Sequence, residues 1–404
     1  MRIAVVGGGT AGPAAALFLA RDGHAVQMFE RVAEPRGVGA GIVLQALGQR
    51  VLDELGLAAE LERRSSPVRH VDGRTRSGRR VLDFAFHDVV RNACGWGVHR
   101  GTLFELLWAA VRGAGIPTET GVEVTGLRLA LGGYELVTAD GRRGPFDLVV
   151  GADGARSKLR RLSGLATKDA GYPYGALWAI VPDPDGLAGD VLFQRYDGTR
   201  VMLGIVPTGV GGASIFWSIP ARRIAAARAA GTAAWIRVAR PYAGHLAPLV
   251  DRVAETGLMG ARYRDVVVRS PVLVIGSGRG ASGLVLVGDA GHAMSPQLGL
   301  GAGFALADAW VLAACLRSRP GDLGLALERY AAVRRSHIRY YTWCSRFLTP
   351  VFQSGLVPIG WLRDAFLGPV GRMPWVRREF EALCTGMRTS PLTSWREPGF
   401  AASE

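Results

Sequence analysis

The sequence predicts an α/β protein in which a parallel strand–helix–strand core is interrupted by a mainly antiparallel sheet and closed by a helical C-terminus. Three stretches carry that reading: the glycine series Gly7–Gly12 between an apolar strand and a helix, the strand, turn and helix of Gly283–Asp308, and the β-prone residues 171–275.

The strand Arg2–Gly7 runs into Gly7-Gly-Gly9-Thr10-Ala11-Gly12, then a helix Pro13–Asp22, then a strand His24–Phe29 ending at Glu30 and Arg31. Gly7 permits a tight turn, Gly9 lets backbone approach a pyrophosphate, and Gly12 lets helix and strand pack closely. Glu30 can accept both ribose hydroxyls of an adenosine and disfavours a 2′-phosphate, so the bound dinucleotide is FAD or NAD rather than NADP. Pro13 falls in the first helical turn, where its missing N–H is harmless. The dense glycines of Arg36–Gly41 fit backbone passing close to a ligand, with a surface loop as the plain alternative. A helix Gln45–Leu55 stops at Gly56, and alternation through residues 65–98, as in Val81–Phe86, indicates strands of another sheet.

Arg100 opens a helix to Val111, where a cation opposes the dipole unless it reaches an anion such as pyrophosphate; a solvated arginine is the alternative. Gly121–Thr125 and Tyr134–Thr138 read as strands, with Asp140-Gly141 a hairpin turn. Phe146–Gly151 is a buried strand ending at Asp153-Gly154, a common turn by itself. In the region 171–275, Asp190–Tyr196, Val201–Val206 and Ala213–Ile219 are strands and Ala221–Arg240 is the one helical interlude. Such a sheet would roof a pocket, making Trp178, Phe193, Tyr196, Phe216, Trp217 and Tyr263 candidates for it, although each alone reads first as core.

Leu284–Val287 is a buried strand ended by Gly288 and Asp289, and Ala302–Arg317 a helix whose Gly-rich N-terminus offers N–H groups to an electron-rich ring. A helix Leu323–Thr349 breaks at Pro350. The aromatic and arginine-rich tail Tyr340–Leu383 docks onto the body or a partner subunit, with an amphipathic membrane-surface segment as the lesser reading.

The net charge is +14 over 404 residues. Lys158 and Lys168 are the only lysines, and the arginines are scattered without a basic block interleaved with aromatics, which argues against nucleic acid. Cys94, Cys315, Cys344 and Cys384 stand apart, as reduced thiols rather than a metal site or disulfide framework. With no long apolar run and no leader-like N-terminus, the chain reads as cytoplasmic.

Together, Gly7-x-Gly9-x-x-Gly12 with Glu30, Gly151-Ala-Asp153-Gly154-Ala-Arg156-Ser157, and Gly288-Asp289-Ala-Gly-His292-x-x-x-Pro296-x-x-Gly299-x-Gly301 resemble the single-component FAD-dependent aromatic hydroxylases, the group A flavoprotein monooxygenases of para-hydroxybenzoate hydroxylase type. The likeness spans residues 1–340. It implies a glutathione-reductase-type FAD-binding domain (1–70, 95–170 and 276–340), an inserted β-sheet substrate domain (71–94 and 171–275) and a helical C-terminal segment (341–404). The cofactor-binding set it implies comprises Gly7, Gly9, Thr10, Ala11, Gly12, Glu30 at the ribose, Arg31 and Gly41. Further along, Arg100 would meet the phosphates, Val124 the adenine and Asp289 the ribityl chain, and Asp153 lies in a motif associated with both FAD and NAD(P)H. Pro296, Gly299, Gly301, Ala302 and Gly303 would lie at the flavin ring.

The resemblance further implies that NAD(P)H reduces the FAD and that dioxygen forms a flavin hydroperoxide, which hydroxylates an aromatic or polycyclic small molecule, as in secondary metabolism. A monomer or homodimer would do this. Many relatives carry Gln and Asn where this chain has Leu300 and Gly303, and Leu300 is expected to make the cavity more apolar. No catalytic acid or base is assigned: His292 serves a structural bond as readily as chemistry, and Arg195, Tyr196, Arg200 and Tyr263 are pocket candidates. The rival readings are a flavoprotein oxidase or reductase acting on a lipid or natural product, a non-catalytic FAD module, and a flavin-dependent halogenase. The halogenase is echoed by Phe216-Trp217-Ser-Ile219-Pro220 but would need a buried lysine.

Overall fold

The computed structural model describes residues 1–86, 94–391 and 393–394. Residues 87–93, part of the expected inserted piece 71–94, lie outside the described residues, as do 392 and 395–404 of the C-terminal segment.

A six-stranded sheet is ordered Val272–Ile275, Ser282–Leu286, Leu148–Gly151, Arg2–Val6, Ala25–Glu30, Thr118–Thr120. All neighbours are parallel except the antiparallel edge Val272–Ile275. Its strands are apolar on both faces because both are covered. Ile3, Val5, Leu148, Val150 and Val285 point to the helices Ala11–Arg21 and Gly301–Ser318. Ala4, Val6, Val149, Leu284 and Leu286 point to Tyr134, Leu136 and Phe146 of a three-stranded antiparallel sheet built from Gly126–Ala130, Gly133–Thr138 and Gly141–Phe146.

A seven-stranded sheet combines Met259–Val268, Ala166–Pro182, Gly212–Pro220, Val201–Pro207, Val191–Asp197, His70–Thr75 and Arg80–Ala85 in that order. Its pairs are antiparallel apart from Val191–Asp197 with His70–Thr75. One face, with Leu177, Phe193, Leu203, Ile215 and Trp217, packs beneath helices between residues 224 and 256. On the other, Tyr196, Met202 and Phe216 meet Phe352 and Leu348 of the long helix Leu323–Phe352.

Three local expectations are corrected. Residues 121–125 form no strand; Val122 N–H bonds the Glu30 carbonyl and Thr125 N–H the Val137 carbonyl instead. The helical interlude is several short helices between residues 221 and 256, interrupted at Gly231, whose φ of 84° ends a right-handed turn. The long helix continues through Pro350 to Phe352, because a proline so near the end removes one backbone bond with little helix beyond it.

Candidate functional site

The strands Arg2–Val6, Ala25–Glu30 and Ser282–Leu286 run parallel, so the groups following them gather at one edge of the sheet. This carboxyl edge is where open α/β sheets hold ligands. At its first crossover, Gly7 has φ 110° and a Cβ there would strike the Ala152 carbonyl, while one on Gly12 would overlap the Gly7 carbonyl. A Cβ on Gly9 would meet open space. Thr10 is the residue before the Ala11–Arg21 helix, and Ala11 is buried against the core.

Glu30 is positioned by backbone. Its Oε2 accepts from Gly8 N at 2.6 Å and its Oε1 from Val32 N at 2.8 Å. Each carboxylate oxygen keeps a further lone pair for a hydroxyl. Trp108, on the helix Arg100–Gly113, donates its indole N–H to the Gly8 carbonyl at 2.8 Å and so braces the same turn. Neither Gly8 nor Trp108 figured in the sequence reading, since a tryptophan within an apolar helix looks like core. Arg31 is exposed. The Arg100 backbone N–H bonds the Ala40 carbonyl at 3.1 Å, and its exposed guanidinium makes no ion pair with a described residue.

The glycines of 36–41 are explained by protein packing. A Cβ on Gly37 would sit 2.6 Å from the Gly101 Cα, and one on Gly39 would press on Arg100 at 3.0 Å. Gly41 donates its N–H to Ser214 Oγ at 3.0 Å, and a Cβ there would collide with Thr208 and Ser214 of the seven-stranded sheet. Gly41 thus begins the strand Gly41–Leu44 tight against the seven-stranded sheet. Val124 is buried with Phe29, Tyr134 and Phe146.

Asp153 caps a helix: its Oδ2 accepts from Lys158 N at 2.7 Å and Leu159 N at 3.1 Å, and Oδ1 is buried without a partner. The fully buried Arg160 ties this segment to the third motif, donating to the Ala290 carbonyl at 2.8 Å, the Ala155 carbonyl at 2.8 Å and Asp169 at 2.7 Å.

Asp289 is the exposed first residue of a one-turn helix, Asp289–His292, and makes no hydrogen bond or ion pair with a described residue. The turn Pro296–Leu298 leads to Gly299 at φ 67°, and the helix Gly301–Ser318 then begins with Gly301 exposed. The leading N–H groups of that helix have no acceptor within it. Gln45 supports the turn, donating to the Leu298 carbonyl at 3.1 Å.

Leu300, expected from the sequence to make the cavity more apolar, has its side chain in the core. It is buried beside Leu47, and a Cβ on Gly386 would meet its Cδ2 at 3.0 Å. Gly303 sits where two helices cross, its added Cβ falling 3.5 Å from Gly48 N. Ala302, between Gly301 and Gly303, is half-buried.

Behind the motif lies a charged core. Asp308, in an otherwise apolar helix, accepts from Gly288 N at 2.6 Å and Arg334 Nε at 2.6 Å, and lies 2.6 Å from His292 Nε2. Burial alone would raise its pKa, but His292 and Arg334 outweigh that and hold it well below the usual carboxylate range. Arg334 meets His337 Nδ1 at 2.5 Å, and His337 Nε2 lies 2.7 Å from the Gly386 carbonyl. Burial, reinforced by Arg334, pushes the His337 pKa well down.

The pocket candidates divide between the faces of the seven-stranded sheet. Phe193 packs edge-on to His245, and Trp217 edge-on to Trp235 and Tyr242, so both belong to the outer core. Tyr196 is buried against Phe352, its hydroxyl donating to Gln194 at 2.6 Å. Phe216 occupies the space that a side chain at Gly204 would fill. Trp178 is buried, Tyr263 is half-buried with its pKa raised by burial, and the Arg200 side chain lies near Gly355. Arg195 pairs with Asp72 at 3.3 Å and lies over the Phe193 ring. Lys158 pairs with Glu123 at 2.8 Å and Lys168 with Asp265 at 2.5 Å, so neither is the buried lysine a halogenase needs.

The profile of the family described as FAD binding domain matches residues 1–223. Aurachin C monooxygenase/isomerase of Stigmatella aurantiaca is 30% identical, the match covering 83% of this chain and 85% of that protein. Kynurenine 3-monooxygenase of Salinispora tropica is 32% identical over 83% of this chain and 77% of its own. Among solved structures, Klebsiella pneumoniae HpxO complexed with FAD and uric acid shares the fold, with a TM-score of 0.77 at 22% identity over 97% of this chain and 98% of that one. The chain belongs to the group A FAD-dependent aromatic monooxygenases; it is an oxidoreductase, and FAD is its cofactor.

Proposed function

We propose that this enzyme consumes NAD(P)H and dioxygen to hydroxylate an aromatic or polycyclic small molecule. The observation that carries the reading is the grouping of Glu30, Asp289 and the start of the Gly301–Ser318 helix at the carboxyl edge of one parallel sheet. Bound FAD supplies hydride acceptance and oxygen activation, for which no protein side chain is equipped. Glu30 holds the ribose and Arg100 the pyrophosphate. The exposed Asp289 carboxylate takes ribityl hydroxyls. The N–H groups around Gly301 and Ala302, at the start of that helix, would stabilise negative charge on the bound ring without reorganising. Names of relatives such as kynurenine 3-monooxygenase support an aromatic substrate.

The test is anaerobic reduction of the bound FAD by NADH and NADPH, followed by turnover of a phenol and polycyclic panel under ¹⁸O₂. One labelled oxygen per product molecule is expected. Reductant oxidation that yields only hydrogen peroxide, or a product altered without labelled oxygen, would instead favour an oxidase or reductase.

A further inference from the structure

The C-terminal helices turn an apolar face outward. Helix Val357–Gly371 docks through its small residues, with Gly360 on the Gly198 and Thr199 backbone and Gly368 on that of Arg80. Trp361 and Phe366 are left 71% and 60% exposed. Leu362 and Val370 are exposed beside them, Trp375 at the start of the next helix is 66% exposed, and Trp343 on the preceding helix is 63% exposed and stacks on Phe347 at 5.6 Å. A surface helix ordinarily buries its aromatics and shows its polar residues, so this one is inverted.

The same helices carry an excess of positive charge. From Leu323 to Cys384, across these helices, the sequence holds nine arginines and four carboxylates, of which Asp364 pairs with Arg363 at 2.6 Å and Glu381 with Arg377 at 2.7 Å. The side chains of Arg335, Arg339, Arg372 and Arg378 make no hydrogen bond or ion pair with a described residue. Arg335, Arg339, Trp343 and Phe347 recur at every fourth position, a single row along the long helix. Arg335, Arg339 and Trp343 of that row border a cavity of about 930 Å³ that Arg269 also lines. Arginines four apart repel, and a counter-charge from outside the chain relieves them.

We infer that these helices form a docking face for an anionic membrane surface. Tryptophan and arginine bordering an aliphatic face is the composition of a helix lying among lipid headgroups. An anionic bilayer offers both an apolar layer and phosphate counter-charges. A second copy of this chain would bring the same arginine excess to a self-complementary contact. No helix among the described residues is long and apolar enough to cross a membrane, so the face lies on the surface.

The test is co-sedimentation of the FAD-loaded full chain with phosphatidylcholine vesicles, with and without phosphatidylglycerol. The wild type is expected to pellet with the anionic vesicles only, and less at high salt. The double variant Trp361→Asp/Phe366→Asp and, separately, Arg335→Glu/Arg339→Glu should each weaken pelleting about tenfold or more, with flavin absorbance and melting temperature unchanged, because the altered side chains are largely exposed. Wild type that stays in the supernatant with anionic vesicles overturns the inference. So does a concentration-dependent dimer in sedimentation velocity that Trp361→Asp/Phe366→Asp converts to monomer, since a second copy would then cover the face.

Discussion

Asp308 draws its partners from three places in the chain: the Gly288 turn, His292 and Arg334. Asp308→Ala leaves Arg334 buried without its counter-ion and should destabilise the fold by about 3–5 kcal/mol, read by chemical denaturation. The carboxyl is held below its unfolded value, so its contribution is present above about pH 4 and is lost as the pH falls below that. His337 is also held below its unfolded value, so its contribution is present above about pH 6.5 and is lost on acidification at up to about 1.4 kcal/mol per pH unit. Melting temperature should therefore fall from pH 7 to pH 5.5, and His337→Gln should flatten that slope. Asp289 differs in being exposed and unengaged by described residues. Asp289→Ala should weaken FAD binding roughly tenfold to a hundredfold, about 1.4–3 kcal/mol, with little change in the stability of the flavin-free protein; unchanged affinity in a flavin titration would remove it from the site.

At the scale of elements, the helix Gly301–Ser318 does two jobs, presenting its first N–H groups to the site and crossing the helix Ala46–Glu54 at Gly303 and Gly48. Gly303→Leu should push these helices apart and lower stability by about 1–3 kcal/mol, seen in denaturation. Leu300 immediately precedes the helix with its side chain in the core, so Leu300→Gln should destabilise by a similar ~1–3 kcal/mol and leave the flavin absorption bands in place. A shifted spectrum with unchanged stability would mean that the side chain faces the ring.

For the whole molecule, FAD in the proposed site would span three sequence-distant segments of one sheet, so its binding would reinforce the chain as a unit. Free FAD at a hundred times its Kd should add roughly 2.7 kcal/mol of stability over the flavin-free protein, measured as a rise in melting temperature with FAD concentration. A melting temperature indifferent to FAD would mean that flavin binds the unfolded chain equally well.

The crossover Gly7–Gly12, the strand ending at Glu30 and the turn beginning at Gly288 were legible in the sequence by itself. Each is a local problem: a glycine where no Cβ fits, an apolar run buried on both faces, a carboxylate at a strand end. The glycines of 36–41, Leu300 and the split of Phe193 and Trp217 from Phe216 were decided by tertiary structure. Whether a glycine faces a ligand or a neighbouring backbone depends on what the chain brings to it from far away, here Ser214 against Gly41. The Asp308–Arg334 pair joins residues 26 positions apart, and only folding turns a lone carboxylate in an apolar helix into the anchor of the site. The aromatic tail is the reverse case: its composition is plain in the sequence, but only the docking of Gly360 and Gly368 decides that Trp361 and Phe366 face outward.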